Sequence, residues 1–488
     1  VPFPWHPQPL NNTPGSALGA NTFLRDHAER LFEARVSGAE SVAVRGDGTL
    51  VMLDKYGQVW EAKVAAGSNR SAPAYELSAA PVASLQTNGG GRPLGFHPDD
   101  TTGDLYVCDS RRGLIVVEGE GEKEPRRVRD VATTISAKSR SRGGERIPYA
   151  NDLDLTHVPT SLFAAAGNNG NKGSSSGGGR HTKQASANSE KPAAKRAWLL
   201  GGGGGGKKKA GNGSHEPHEP VVFFTSCTDI DPPYNAKGGF YDTMRGYQLD
   251  LAQGAPKGAL LAWSPSLAAA GGKGEGGAVV VAEGFYYANG VALSKDGDYA
   301  LVVETNRNRV LRVWLDGRLG GQQGAPSARE ADVSGPGGPG ATLAEGFRVA
   351  PRIDIFADDL PGVPDGVNIA GASRHFGDEE GDAFWVALIG PVPPISKLLG
   401  LAGVRAIYAW LPERMRPTVK PWGAALRLRA ADGEAETLLL DPAGERVSSV
   451  SAVTESEDGL LFFGNLMGDY VSYVDLRTAG EWRRRSAR

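Results

Sequence analysis

The chain has 488 residues, 40% of them hydrophobic and 22% charged, which suits a folded protein with a sizeable core. Its 53 Lys and Arg against 56 Asp and Glu give a net charge of −3, so the basic excess of a general nucleic-acid binder is absent and no nucleic-acid partner is expected. No run of about 18 apolar residues occurs, so no spanning helix is expected, and membrane association is expected only through a segment outside this chain.

Length alone suggests about three domains, yet one grammar recurs along most of the chain. A turn with Asp or Gly leads into an apolar strand, then a second turn and another strand. It appears first in "GDGTLVMLDKYGQVWEAKV" and next in "TGDLYVCDSRRGLIVVEG". It returns in "PVVFFTSCTDIDPPY", in "GFYYANGVALSKDGDYALVVETNRNRVLRVWLDG", in "EGDAFWVALIG" and in "SEDGLLFFGNLMGDYVSYVDL". β-Branched and aromatic residues fill the strands, and Gly, Asp or Asn punctuate the turns. Six such units predict an all-β, six-bladed β-propeller over residues 24–480, because no blade could cover both of its faces alone.

Between the second and third units lie "GNNGNKGSSSGGGRHTKQASANSEKPAAKR" and "GGGGGGKKKAGNGSHEPHEP". This composition cannot bury enough apolar surface to order itself, so residues 167–220 are expected to be a disordered Gly/Ser/Lys-rich insertion in the propeller. Gly201 to Lys207 imitates a phosphate-binding loop, but Lys208 stands where Ser or Thr should hold magnesium. From Pro394 to Pro417, Ile395, Leu398, Leu399, Ala402, Ile407 and Leu411 recur at roughly helical spacing and predict a short helix packed over the propeller, although Lys397, Arg405 and Arg414 would also permit a membrane-surface helix. Cys108 and Cys227 fall in apolar strands and read as buried thiols, although one disulfide is arithmetically open. Asn-x-Ser/Thr triplets begin at Asn11, Asn69 and Asn212 and fit a secretory or endomembrane route.

Familiar catalytic signatures are missing. There is no H-E-x-x-H and no C-x-x-C, and the one G-x-S-x-G match, Gly173 to Gly177, lies in the insertion with no strand before it or helix after it. Three of the eight histidines (His181, His215 and His218) lie there too, which leaves few for a triad or a zinc site. Oxygen ligands recur instead: Glu40 in "GAESVAV", Asn151 in "YANDLDL", Asn289 in "YANGVAL" and Asp365 in "VPDGVNI" each precede an apolar strand. The first strand of each blade lines the channel, so these four are expected to meet at one mouth. Two carboxylates and two amide oxygens are hard ligands that suit calcium. Turn preference alone would also place Asn and Asp at strand starts.

The stretches "GRPLGFHPDDTTGDLYVCDSRRGLIVV", "YANDLDL", "GFYYANGVALSKDGDYALVVETNRNRVLRVWLDG" and "LPGVPDGVNIAGASRHFGDEEGDAFWVAL" resemble strictosidine synthase-like proteins, and more distantly the paraoxonases and gluconolactonases. The resemblance runs from about Ala39 to Leu476. It implies a six-bladed propeller with a central metal in the hydrolase relatives, held here by Glu40, Asn151, Asn289 and Asp365. Gly366 departs from the second asparagine of paraoxonase-type sites. The resemblance also implies a catalytic glutamate in the last blade before an acidic turn. In "VTESEDGLLFFGNL" Glu455 takes that place with a one-residue shift and Ser456 without one.

The implied activity is metal-assisted hydrolysis of an ester or lactone of arylesterase or lactonase type, acting on a small-molecule substrate, with Glu40, Asp152 or Glu455 as base. The alternatives are a carbon–nitrogen-forming synthase with Glu455 as base, and a propeller that binds a ligand or partner without catalysis.

Overall fold

In a computed structural model, which describes residues 18–486 except 69–72, 87–89, 120–125, 138, 140, 161–216, 271–276, 318–341, 345–346, 372–381, 394–395, 400, 413–414 and 416–419, the apolar runs are covered on both faces. Side chains alternate across a strand, so a run without polar interruption needs two partners. Val222 and Phe224 pack with Tyr106, Cys108 and Leu114 of one sheet, while Val221 and Phe223 pack with Val291, Val302 and Leu311 of another. Leu50 and Met52 face Phe462 and Tyr473, whereas Val51 and Leu53 face Phe96 and Val107. Six such cores separate six sheets, each core shared by adjacent sheets.

The result is the expected six-bladed propeller. The innermost strands of blades 1 to 6 are Val42–Val44, Pro93–Pro98, Ala150–Pro159, Ala288–Leu293, Val363–Ile369 and Val450–Glu455. The ring is closed by the chain's own beginning. Glu29–Leu31 forms the outermost strand of blade 6, antiparallel to Val471–Asp475, with Arg30 opposite Ser472.

The register of the inner strands shifts near their starts. Ala150 pairs with Ser226 and Leu153 with Phe224, so Asn151 and Asp152 together oppose Thr225. The same two-against-one pattern sets Asn289 and Gly290 against Val303, and Asp365 and Gly366 against Ala387. Leu94 and Gly95 oppose Cys108 in blade 2, and blade 6 shifts between Val450 and Ala452. These are β-bulges, which bend the strand and re-aim side chains at one rim.

Two helical segments cover that rim. One is Thr243–Gln253, capped at its start by Asp242, whose side chain accepts from the Arg245 amide, and ended by Gly254 at φ 60°. The other is the predicted one, divided into Ser396–Leu399 and Ala402–Trp410. Leu251, Leu399 and Tyr408 pack the two together. The predicted insertion lies outside the described residues up to 216. Its last residues, His218 to Pro220, instead begin the second strand of blade 3, His218–Ser226, and pair with His157 to Pro159.

Both cysteines are free and buried, and burial pushes both thiols well above their usual range. Neither should react with a thiol reagent in the native protein, and two thiols should react after denaturation. A fast-reacting thiol in the native state contradicts this packing.

Candidate active site

The bulges bring their residues together. Glu40, Asn151, Asn289 and Asp365 line a cavity of about 430 Å³ at the covered rim. The same four also line a void of about 10 Å³ beneath it, with Asp152, Gly95, Gly366 and Ser451. A space of that size holds about one water or a bare ion. The four polar residues therefore form a floor between a cup above and the channel below.

Each wall residue has a local reason for its place. Asn151 donates from Nδ2 to Cys227 Sγ at 3.0 Å, and Asn289 donates from Nδ2 to Thr305 Oγ1 at 3.0 Å. Thr305 in turn donates to the Pro364 carbonyl at 2.9 Å, which ties blade 4 to blade 5 just before Asp365. With its amide nitrogen engaged, each side chain keeps a carboxamide oxygen able to accept or to ligate. Tyr149 and Tyr287, two residues before Asn151 and Asn289, hold φ of 47° and 64°. That left-handed conformation is uncommon for aromatic residues and clusters at functional sites. Tyr287 donates its hydroxyl to that of Tyr149 at 2.9 Å, and Tyr149 donates to the Thr243 carbonyl at 3.1 Å, joining two blades to the covering helix.

The electrostatics of the floor are dominated by burial. Burial raises Glu40 to about 7, opposed by the nearby Arg92 guanidinium. Asp365 is pushed well above the usual carboxylate range by burial and then by the charges of Glu40 and Asp152, against a hydrogen bond from Asn289 and the charge of Arg92. Glu40 Oε2 is buried without a hydrogen-bond partner. Arg92 is itself buried, donating to Thr243 Oγ1 at 3.1 Å and the Leu466 carbonyl at 2.8 Å.

Asp152 is also raised to about 7 by burial, partly offset by hydrogen bonds from the Val291 and Leu153 amides at 3.1 and 2.9 Å. It lines the lower void but not the cup, and it staples blade 3 to blade 4. Asp154 repeats the staple one pleat further, accepting from the Leu293 amide at 2.8 Å. Glu455 is not brought to this floor. It ends the inner strand of blade 6, four residues beyond Ser451 or about 13 Å along the strand, and accepts from Trp385 Nε1 at 3.1 Å. Gly366 has no room for a side chain, because a Cβ there would lie 2.5 Å from the Ser451 carbonyl oxygen.

Ser451, Arg92 and the cup wall of Tyr247, Leu251, Ile389 and Leu466 were not among the residues expected from sequence. The repeated Tyr-Ala-Asn of residues 149–151 and 287–289 was the available signal for the tyrosine pair. Among the described residues no three His, Cys, Asp or Glu side chains group as a metal cluster; the floor offers two carboxylates and two amides.

A family model described as strictosidine synthase matches residues 236–318, which hold the covering helix Thr243–Gln253 and the start of blade 4. Strictosidine synthase-like protein 13 of Arabidopsis thaliana is 25% identical over 334 residues, 68% of this chain and 50% of that protein. Its relative strictosidine synthase-like protein 10 is 29% identical over 206 residues, 41% of this chain and 44% of that protein. The chain is thus similar in sequence to strictosidine synthase-like proteins. The match spans half or less of the length of these two relatives. Among solved structures, a gluconolactonase from Xanthomonas campestris aligns with this chain over 97% of its length and 96% of that structure, at 12% identity and a TM-score of 0.43.

Proposed function

We propose that this strictosidine synthase-like propeller is a calcium-assisted hydrolase of ester or lactone bonds. The observation that supports it most is the floor: four oxygen-bearing side chains from four blades meet under an apolar cup, and one buried carboxylate oxygen among them, Glu40 Oε2, has no partner. Two buried carboxylates, both raised by burial and Asp365 further by the charge of Glu40, are a costly arrangement without a cation, and the donor set of carboxylate and amide oxygens fits a hard one. Glu40 and Asp365 would supply the charge and Asn151 and Asn289 neutral oxygens. When bound, calcium would polarise the scissile carbonyl as a Lewis acid.

The cup does the rest. Tyr247, Leu251, Val363, Ile389, Tyr408 and Leu466 offer an apolar wall for the body of an ester or lactone. The covering helices shield the floor from bulk water. Glu40 is the floor carboxylate with an oxygen that lacks a hydrogen-bond partner and it lines both the cup and the void below it, so one of its oxygens could hold the cation while the other takes the proton of the attacking water. Water adds across the acyl–oxygen bond, giving an acid and an alcohol. Asp152, with both oxygens held by backbone amides, fixes the blade 3–4 seam under the floor.

The test is turnover of a broad panel of aryl esters and lactones with calcium and with chelator, alongside the thermal midpoint in each condition. Hydrolysis should depend on calcium, and calcium at about 100 times its Kd should stabilise the fold by about 2.7 kcal/mol. No hydrolysis anywhere in the panel, or a midpoint indifferent to calcium, overturns the proposal and leaves a ligand-binding propeller ahead.

A further inference from the structure

The helix Ala402–Trp410 is apolar on both sides. Its inner side, with Val404 and Tyr408, packs on Leu251 of the other covering helix. Its outer side presents Gly403, Ala406, Ile407, Ala409 and Trp410 to solvent, with Ile407 66% and Trp410 88% exposed. A surface helix ordinarily turns polar residues outward, and one that is apolar all round has a second apolar environment to meet. Leu398, Leu401 and Met415 extend the patch, all more than half exposed. Five of the nine large hydrophobic side chains exposed among the described residues thus fall within residues 398–415.

The charge of the segment's sequence says what covers it. From Ser396 to Lys420 the chain carries Lys397, Arg405, Arg414, Arg416 and Lys420 against Glu413 alone, in a protein whose net charge is −3. Two copies meeting through this face would bring like charges together. An anionic lipid surface satisfies both features: Leu, Ile and Trp enter the interface, and the net positive charge of the segment's sequence is drawn to anionic headgroups. No described helix is long and apolar enough to cross a membrane, so this mode is one of lying on the surface.

We propose that the Leu398–Met415 covering segment docks the protein on anionic membranes. This surface lies within the chain, on the segment whose basic residues also suit a membrane-surface helix. Tyr408 of the same helix lines the cup, so docking sets the cup's cover against the bilayer and gives lipophilic molecules a short route into it.

The test uses the full chain with sedimenting vesicles of phosphatidylcholine alone or mixed with phosphatidylserine. The chain should pellet with the mixed vesicles, weakly with the neutral ones, and less as salt rises. Ile407→Ser combined with Trp410→Ser should lower the partition constant at least about tenfold, with no fall in thermal midpoint, because both side chains face solvent. In the otherwise unaltered chain, brominated lipid should quench tryptophan fluorescence, and Trp410→Phe should remove that quenching, which keeps the test independent of the double variant's folding. Failure to pellet, equal binding of parent and variant, or a dimer that dissociates on the double substitution overturns the proposal. None of these readouts requires turnover, so they stand apart from the hydrolase test.

Discussion

Replacing Asn289 with Leu should abolish both the calcium-dependent rise in thermal midpoint and hydrolysis, while leaving the metal-free protein folded. Asn289 is buried at the blade 4 bulge, and its backbone carbonyl accepts from Thr225 Oγ1 at 2.6 Å, a bond the substitution keeps. Leu has a similar volume but removes the amide. Thr305 still donates to Pro364, so the seam to blade 5 survives. The loss of the hydrogen bond to Thr305 should cost on the order of 1 kcal/mol in the metal-free protein. The metal effect should be far larger. Groups that merely orient a metal ligand are worth about 10–100-fold in affinity or activity when lost, so loss of a ligand should reach at least the upper end. Asn289→Asp separates charge from shape: it keeps the oxygen and adds a third carboxylate beside Glu40 and Asp365. It should lower the midpoint without calcium and increase the rise that calcium gives. Equal calcium responses in the parent and the Leu variant would sink the assignment of Asn289 to the metal.

The architecture was legible because both faces of each blade are buried. Runs such as Val221 to Phe224 carry no polar residue, and only stacked sheets can absorb them. The floor was half legible. Tyr-Ala-Asn occurs twice, and Glu40 and Asp365 stand at matching strand starts, but blades 2 and 6 contribute Gly95 and Ser451, which carry no such mark. Glu455 shows the limit of reading register. Inner-strand position decides whether a residue meets the channel floor, and only the pairing of Val450 with Asn465 fixes which end of that strand lies there. The first covering helix was hidden for a different reason. Thr243–Gln253 buries only Leu251 among its large side chains and carries Gly246 at its middle, a poor helix former. That glycine answers to packing: a Cβ there would lie 2.9 Å from the Tyr149 ring.

Asp250→Asn should stabilise the protein, and by more as pH rises. Asp250 lies on the covering helix, 1% exposed, and accepts from Asn306 Nδ2 at 2.6 Å. Its Oδ1 has no partner, and neither has Asn306 Oδ1. Burial raises the carboxyl to about 7, against a hydrogen bond from Thr228 and with the charge of Asp229 adding to the rise. In the unfolded chain an aspartate titrates near 3.9. Between about pH 4 and 7 the folded state therefore holds a proton that the unfolded state has lost, and stability falls as pH rises through that window. Asn keeps the acceptor for Asn306 Nδ2, adds a donor for Asn306 Oδ1 and has no charge to bury. The gain should be small near pH 4, grow to at most about 4 kcal/mol near pH 7 and stay level above it. Other carboxylates titrate alike in both proteins, so the difference between their unfolding midpoints across pH 4–8 isolates this one. Hydrogen exchange of residues 243–253 at pH 8 should be slower in the variant, because the parent's covering helix is then anchored through a buried charge. A variant less stable than the parent at pH 8, or a difference that does not change with pH, would show that Asp250 is solvated or paired in a way this packing does not provide.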